Sequence, residues 1–87
     1  MKVWVYKSER KSSYYLYVAT EDDFSNVPDA LLKGLGKLDL ALEFILHADR
    51  KLASENTETV LSNLNNQGYH LQINEPMLYG TVPNYKL

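Results

Sequence analysis

The chain of 87 residues contains no cysteine. That removes disulfides, thiolate zinc sites, iron–sulfur clusters and any cysteine nucleophile. Glycine (four) and proline (three) are too few for a collagen-like or low-complexity chain, and 45% hydrophobic residues are too many for a disordered one. Basic residues are not in excess. Nine Lys and Arg stand against eleven Asp and Glu, a net charge of −2, whereas a general nucleic-acid binder presents a clear basic surplus. There is no long hydrophobic run either. The longest largely apolar stretch, Leu38 to Leu46, carries Asp39 and Glu43 and is far shorter than the ~20 residues that span a bilayer. No apolar run follows a basic start, so no signal peptide is visible, no membrane partner is expected, and the expected location is cytoplasmic.

What the chain does have is tyrosine. Seven Tyr, two Phe and one Trp make its aromatic complement. The charge is also unevenly spread. Lys2, Lys7, Arg10 and Lys11 against Glu9 give residues 1–11 a local +3, while Glu21, Asp22, Asp23 and Asp29 give residues 21–29 a local −4. A domain of this size buries only about 60% of its unfolded surface, so it depends on a small apolar core.

Val3 to Tyr6 and Tyr14 to Val18 are β-branched and aromatic runs separated by the polar Ser8 to Ser13, which predicts a β-hairpin. Period two sets Val3, Val5 and Lys7 against Trp4 and Tyr6, and Tyr14, Leu16 and Val18 against Tyr15 and Tyr17. Neither face is polar. Either both are covered, or one is displayed to a partner. A short helix is expected over Val27–Lys33, with Pro28 in its first turn, Asp29 on its dipole and Gly34 or Gly36 at its end. Leu38, Leu40, Leu42, Phe44 and Leu46 alternate strictly and predict a third strand. Asp49 to Asn66 reads as a second helix, capped by Ser54 or Asn56 and stopped by Gly68, and Tyr69 to Ile73 as a last strand. The order is β-β-α-β-α-β. It predicts one α+β domain, a mostly antiparallel four-stranded sheet packed with two helices, over residues 1–76, with 77–87 as an extended tail. The expected core is Val5, Leu16, Val18, Leu31, Leu40, Leu42, Val60, Leu61, Leu64, Leu71 and Ile73.

Val5 to Val18 (VYKSERKSSYYLYV), Asp22 to Gly36 (DDFSNVPDALLKGLG), Arg50-Lys51-Leu52 and Leu64 to Pro76 (LNNQGYHLQINEP) together resemble the YcgL domain family of small bacterial proteins. The resemblance covers about residues 3–76. It implies a compact α/β domain, a cytoplasmic location and no established biochemical activity, in a genetic setting near RNA processing or division-site placement. Two positions depart from the family pattern. Lys37-Leu38 stands where the family tends to have a proline, and Asn74-Glu75-Pro76 stands where it tends to have a proline run.

No motif carries a catalytic site, and no cofactor or metal is called for. His47 shares a strand parity with Asp39 and Glu43, which suggests a His–carboxylate cluster, but a surface histidine at a strand end is the simpler expectation. His70, beside Gln72, is expected to be half-exposed on the sheet. Glu21-Asp22-Asp23 lacks the turn glycine and distal ligand of a cation loop and is expected to be a solvated connection. Ser8, Ser12 and Ser13 lack a nucleophile elbow, and Gly34-Leu35-Gly36 lacks the features of a phosphate loop. The best candidate binding patch is the basic hairpin: Tyr6, Lys7, Arg10, Lys11, Tyr14 and Tyr15, with Arg50 and Lys51 extending it if the third strand ends nearby. Cations beside aromatic faces suit RNA, nucleotides or acidic peptides. The expectation is a non-enzymatic protein-interaction module with a protein partner. An RNA- or nucleotide-binding accessory role is the alternative.

Overall fold

In a computed structural model, residues 1–49, 52 and 55–74 are described. Six elements follow in the expected order: β1 (Lys2–Ser8), β2 (Tyr14–Val18), α1 (Asp29–Leu35), β3 (Leu38–Ile45), α2 (Thr57–Gln67) and β4 (Tyr69–Ile73). The strands form one antiparallel sheet in the order β3-β1-β2-β4. The tail expected over residues 77–87 lies outside the described residues, as do Arg50, Lys51 and Ser54.

Each sheet face carries a helix. Successive strand residues point to opposite faces, and the two core clusters divide along that parity. On one face Val3, Val5, Tyr17 and Leu46 pack against Val60 and Leu64 of α2. On the other, Tyr6, Leu16 and Val18 pack against Val27 and Leu35, with Leu31 and Leu32 of α1 closing over them. The sheet is therefore a middle layer between two helices. Over much of the central strands neither side is polar, because α2 packs against one and α1 against the other.

The helix ends follow from local chemistry. The Pro28 carbonyl accepts from the Leu31 and Leu32 amides, and the Gly36 amide returns to the Leu32 carbonyl at 3.0 Å. The second helix starts at Thr57, later than the periodicity suggests. The Asn56 side chain accepts from the Thr59 amide at 3.0 Å and so sets the boundary. It ends at Gly68, whose φ of 88° lies in the left-handed region.

Strand β3 departs from the expected regular alternation. Val5 pairs with Leu42 but Tyr6 pairs with Leu40, leaving Ala41 as an extra residue. This β-bulge shifts the register by one and exchanges the strand's faces. Leu42 and Phe44, opposite Val5 and Val3, belong to the α2 side, whereas Leu38 and Leu40, opposite Ser8 and Tyr6, belong to the α1 side. The alternation of five apolar residues thus serves two cores.

Three expected core residues are corrected. Leu40 (46% exposed), Leu42 (52%) and Ile73 (47%) lie near the surface because β3 and β4 are the edges of the sheet, each flanked by one strand only. In their place Val3, Tyr6, Tyr17, Val27, Leu35 and Leu46 are buried.

The glycines allow a paired test. A Cβ on Gly34, inside α1, would meet nothing within 4 Å, so Gly34→Ala should stabilise the fold by about 0.5–1 kcal/mol through a stiffer unfolded chain. A Cβ on Gly68 would sit 2.4–2.9 Å from the Asn26 side chain, at a positive φ. Gly68→Ala should therefore cost about 1–3 kcal/mol. Urea denaturation of both variants checks the opposite signs.

Candidate functional site

The hairpin patch is divided by the sheet. Tyr6 and Tyr14 lie with the α1-side cluster, while Lys7 and its cross-strand neighbour Tyr15 share the α2 side. Tyr6 is buried. Its hydroxyl donates to Asp22 Oδ1 at 2.9 Å and accepts from the Asp22 amide at 2.8 Å, and its ring meets Phe24 edge-on at 4.9 Å. Burial raises the Tyr6 phenol above its ordinary value, against the lowering effect of the Asp22 amide, and the hydrogen bond to the Asp22 carboxylate and that group's charge add to the rise. Arg10 packs over Gly36, where a Cβ would be 3.2 Å from its own, and reaches the Lys33 carbonyl at 3.5 Å. The Lys11 ammonium lies 5.5 Å from the Tyr14 ring. Beneath them Ser8, itself buried, donates to the Leu35 carbonyl at 2.6 Å and accepts from the Lys11 amide. The hairpin connection is thereby tied to the end of α1.

The acidic run also has structural duties. Asp22 holds Tyr6, and Asp23 accepts from the Ser25 amide and hydroxyl, which lower its carboxyl below the ordinary value. The bulge separates Asp39, on the α2 side opposite Lys7, from Glu43, on the α1 side opposite Trp4. Asp39 pairs with Lys37 and Glu43 with Lys2. The face that was to unite them with His47 does not exist.

The structure instead brings together a cluster at His70. This residue is 6% exposed, not half-exposed as its place on the strand suggested, because α2 and Glu55 cover it. Asn63 Nδ2 stands 2.9 Å from His70 Nδ1, and Glu55 Oε1 stands 2.5 Å from Nε2. With the Asn63 amide donating, Nδ1 accepts and the Nε2 proton goes to Glu55. Tyr17 meets the imidazole edge-on at 5.5 Å and donates its hydroxyl to Gln72 Oε1 at 2.5 Å. With both ring nitrogens occupied inside the protein, the cluster is placed to hold α2 against β4.

Beyond this cluster α2 no longer covers its face. An open groove of about 340 Å³ crosses all four strands there. Its floor is Leu42 and Ala41 of β3, Val5 of β1, and Tyr15 and Tyr17 of β2, and Gln72 and Asn74 supply amide groups at the β4 side. Lys7 and Asp39 occupy the next rung on the same face. The groove has a largely hydrocarbon lining, with amide groups at the β4 side. Hairpin composition did not point to it. Ala41 and Leu42 line it together only because of the bulge.

The Tyr17 contacts generate a pH prediction. Burial, and then the Glu55 charge, raise the Tyr17 phenol above its ordinary value. The folded state therefore keeps this proton longer than the unfolded chain. Its stabilisation is complete below about pH 10 and is lost as pH rises toward the folded value. Tyr17→Phe should cost about 1–2 kcal/mol near neutral pH by leaving Gln72 unpaired. The gap to the native protein should narrow above about pH 10, as read from urea midpoints across the alkaline range.

Comparisons with known proteins show the family. Residues 3–75 match the YcgL domain. The chain is 45% identical over 73 residues to a YcgL domain-containing protein of Thioalkalivibrio sulfidiphilus, covering 84% of this chain and 90% of that one. It is 46% identical over 72 residues to one of Azotobacter vinelandii, covering 83% and 74% respectively. A third, from Pseudomonas putida, is 48% identical over 69 residues, 79% of this chain and 71% of its own. The four-stranded sheet between two helices is thus the fold of a protein that belongs to the YcgL domain family.

Proposed function

We propose that this protein is a non-enzymatic interaction module of the cytoplasm, and that it engages a protein partner through strand β3. The observation that carries this reading is the exposure of β3. It is an eight-residue edge strand on which Leu40, Leu42 and Ile45 are 46%, 52% and 54% exposed. An edge strand offers a row of backbone donors and acceptors to an added strand, and side chains on both of its faces supply apolar contact. By parity Leu40 and Ile45 flank one face of such an added strand and Leu42 the other. The bulge and the Lys37–Asp39 and Lys2–Glu43 pairs limit indiscriminate pairing along this edge.

The non-enzymatic part rests on the site chemistry. Among the described residues no group of three His, Asp or Glu side chains could hold a metal ion, and the one converging His–carboxylate pair is enclosed. No described helix is long and apolar enough to cross a membrane. The RNA alternative has less support, since its aromatic and cationic residues lie on two faces and Tyr6 is buried.

Leu40→Asp with Ile45→Asp should abolish retention of a specific protein on the tagged chain in pull-downs, with the fold intact by circular dichroism. Lys33→Asp, exposed on α1, should retain it. An unchanged set of recovered proteins overturns the edge-strand reading. Salt-sensitive anisotropy with single-stranded RNA, lost on Lys11→Glu, would favour the alternative.

A further inference from the structure

The outer edge of β3 carries a backbone pattern that restricts which strand can fit it. At one end the Leu46 amide donates to the Met1 carbonyl at 2.7 Å, and the Leu46 carbonyl accepts from the Met1 ammonium at 2.9 Å. At the other end the Lys37 carbonyl accepts from the Glu9 amide at 2.9 Å. Antiparallel neighbours alternate between bonded and non-bonded pairs. Leu42 and Phe44 therefore turn their backbone groups to β1 as Leu46 does, and Asp39 does so with Lys37. The backbone groups of Leu38, Leu40, Glu43 and Ile45 point away from the sheet. Across the bulge at Ala41 these outward residues are three apart instead of two, so a regular strand laid on the edge falls out of step there. Building on the reading of β3 as the interaction edge, we propose that its partner is β3 of a second copy of this chain. The two strands pair antiparallel about a twofold axis between Ala41 and Leu42 and join two four-stranded sheets into one.

In this register Leu38 meets Ile45 of the second copy and Leu40 meets its Glu43, each twice by symmetry. Every outward residue then has an outward partner, and the two bulges face each other. The faces match as well. Leu38, Leu40, Glu43 and Ile45 share the α1 side by parity with Ser8, Tyr6, Trp4 and Lys2, so the exposed Leu40 and Ile45 pack along the seam. Charge excludes the neighbouring register. The two Glu43 are offset by roughly 10 Å along the seam and the two Asp39 by roughly 16 Å, at or beyond a Debye length of ~8 Å. A slip of one residue would set Asp39 opposite Glu43 twice, and like charges in that position destabilise a strand pair. Symmetry also favours β3 over the other edge of the sheet. Pairing β3 with β4 of another copy leaves edges open and adds chains without closing, whereas β3 on β3 closes at two. A contact along one eight-residue strand is small, so the pair forms reversibly.

Sedimentation of the full-length chain should shift from one chain toward two as concentration rises from about 10 μM to about 1 mM. Glu43→Pro deletes an outward amide and removes no bond to β1. It should weaken self-association by about tenfold or more, and so should Leu40→Asp with Ile45→Asp, with circular dichroism unchanged in both. The register is read by cross-linking, which the cysteine-free chain allows. On oxidation of an equal mixture, Leu40→Cys chains should form disulfides with Glu43→Cys chains, and Asp39→Cys chains should not. A single chain at every concentration, undiminished association in both variants, or cross-linking of the Asp39→Cys mixture overturns the proposal. If the chain sediments singly while a different protein is retained in pull-downs and lost on Leu40→Asp with Ile45→Asp, β3 stands as the edge and the second copy is rejected. An unchanged pull-down together with undiminished self-association rejects the edge itself.

Discussion

A single extra residue, Ala41, governs how this small sheet is covered. Without it, the alternating leucines of β3 would all face one helix, and the other side of the sheet would be left without a third-strand contribution. The slip between Val5–Leu42 and Tyr6–Leu40 divides them. Leu38 joins the α1-side cluster and Phe44 the α2-side cluster. A chain of 87 residues has little apolar surface to distribute, and serving two cores with one strand lets it sandwich the sheet. The same slip parts Asp39 from Glu43 and brings Ala41 beside Leu42 on the groove floor.

The tyrosines supply polar fastening inside that sandwich. Each of the five described Tyr lies on a strand. Tyr6 anchors the acidic turn on the α1 side through Asp22, and Tyr17 reaches Gln72 on the α2 side beside the His70–Glu55 pair. A phenol combines a ring large enough to fill core volume with a hydroxyl that needs a partner once buried. In a chain with no disulfide, such directional ties complement hydrophobic packing, which is largely non-directional. The charged hairpin belongs to the same scheme. Ser8 and Arg10 fasten it to the end of α1, so its positive charge sits on a connection that the fold uses.

Among the described residues two apolar surfaces remain once both helices are placed. The β3 strand is flanked on one side only, and the end of the sheet near Tyr15 and Leu42 lies beyond α2, which is eleven residues long. Such a helix extends about 16 Å; it packs Val60 and Leu64 against the sheet and leaves the end near Tyr15 and Leu42 open. The apolar surface among the described residues is therefore what the helices leave uncovered. An enclosed pocket with converging acids and bases is not how its described residues are arranged. That arrangement is what the proposal of an interaction module rests on.

Local patterning was enough to establish the element order. Period-two runs marked all four strands, and Pro28, Asn56 and Gly68 marked helix boundaries through backbone restrictions that act within a few residues. Those runs also separated Tyr6 from Lys7, so the splitting of the hairpin patch was legible once parity was followed strictly. The edge position of β3 and β4, the bulge at Ala41, the burial of His70 against Glu55 and the groove were not legible. Each depends on which strand becomes whose neighbour. Ala41 resembles any residue between two leucines until β1 is laid beside it, and Leu42 looks like core until no strand covers its far side. Sequence alone determined which segments are strands and helices, because that is a matter of local backbone preference and side-chain period. Tertiary structure decided which apolar residues are covered and which are offered outward, because strand order, register and helix length set that between parts of the chain far apart in sequence.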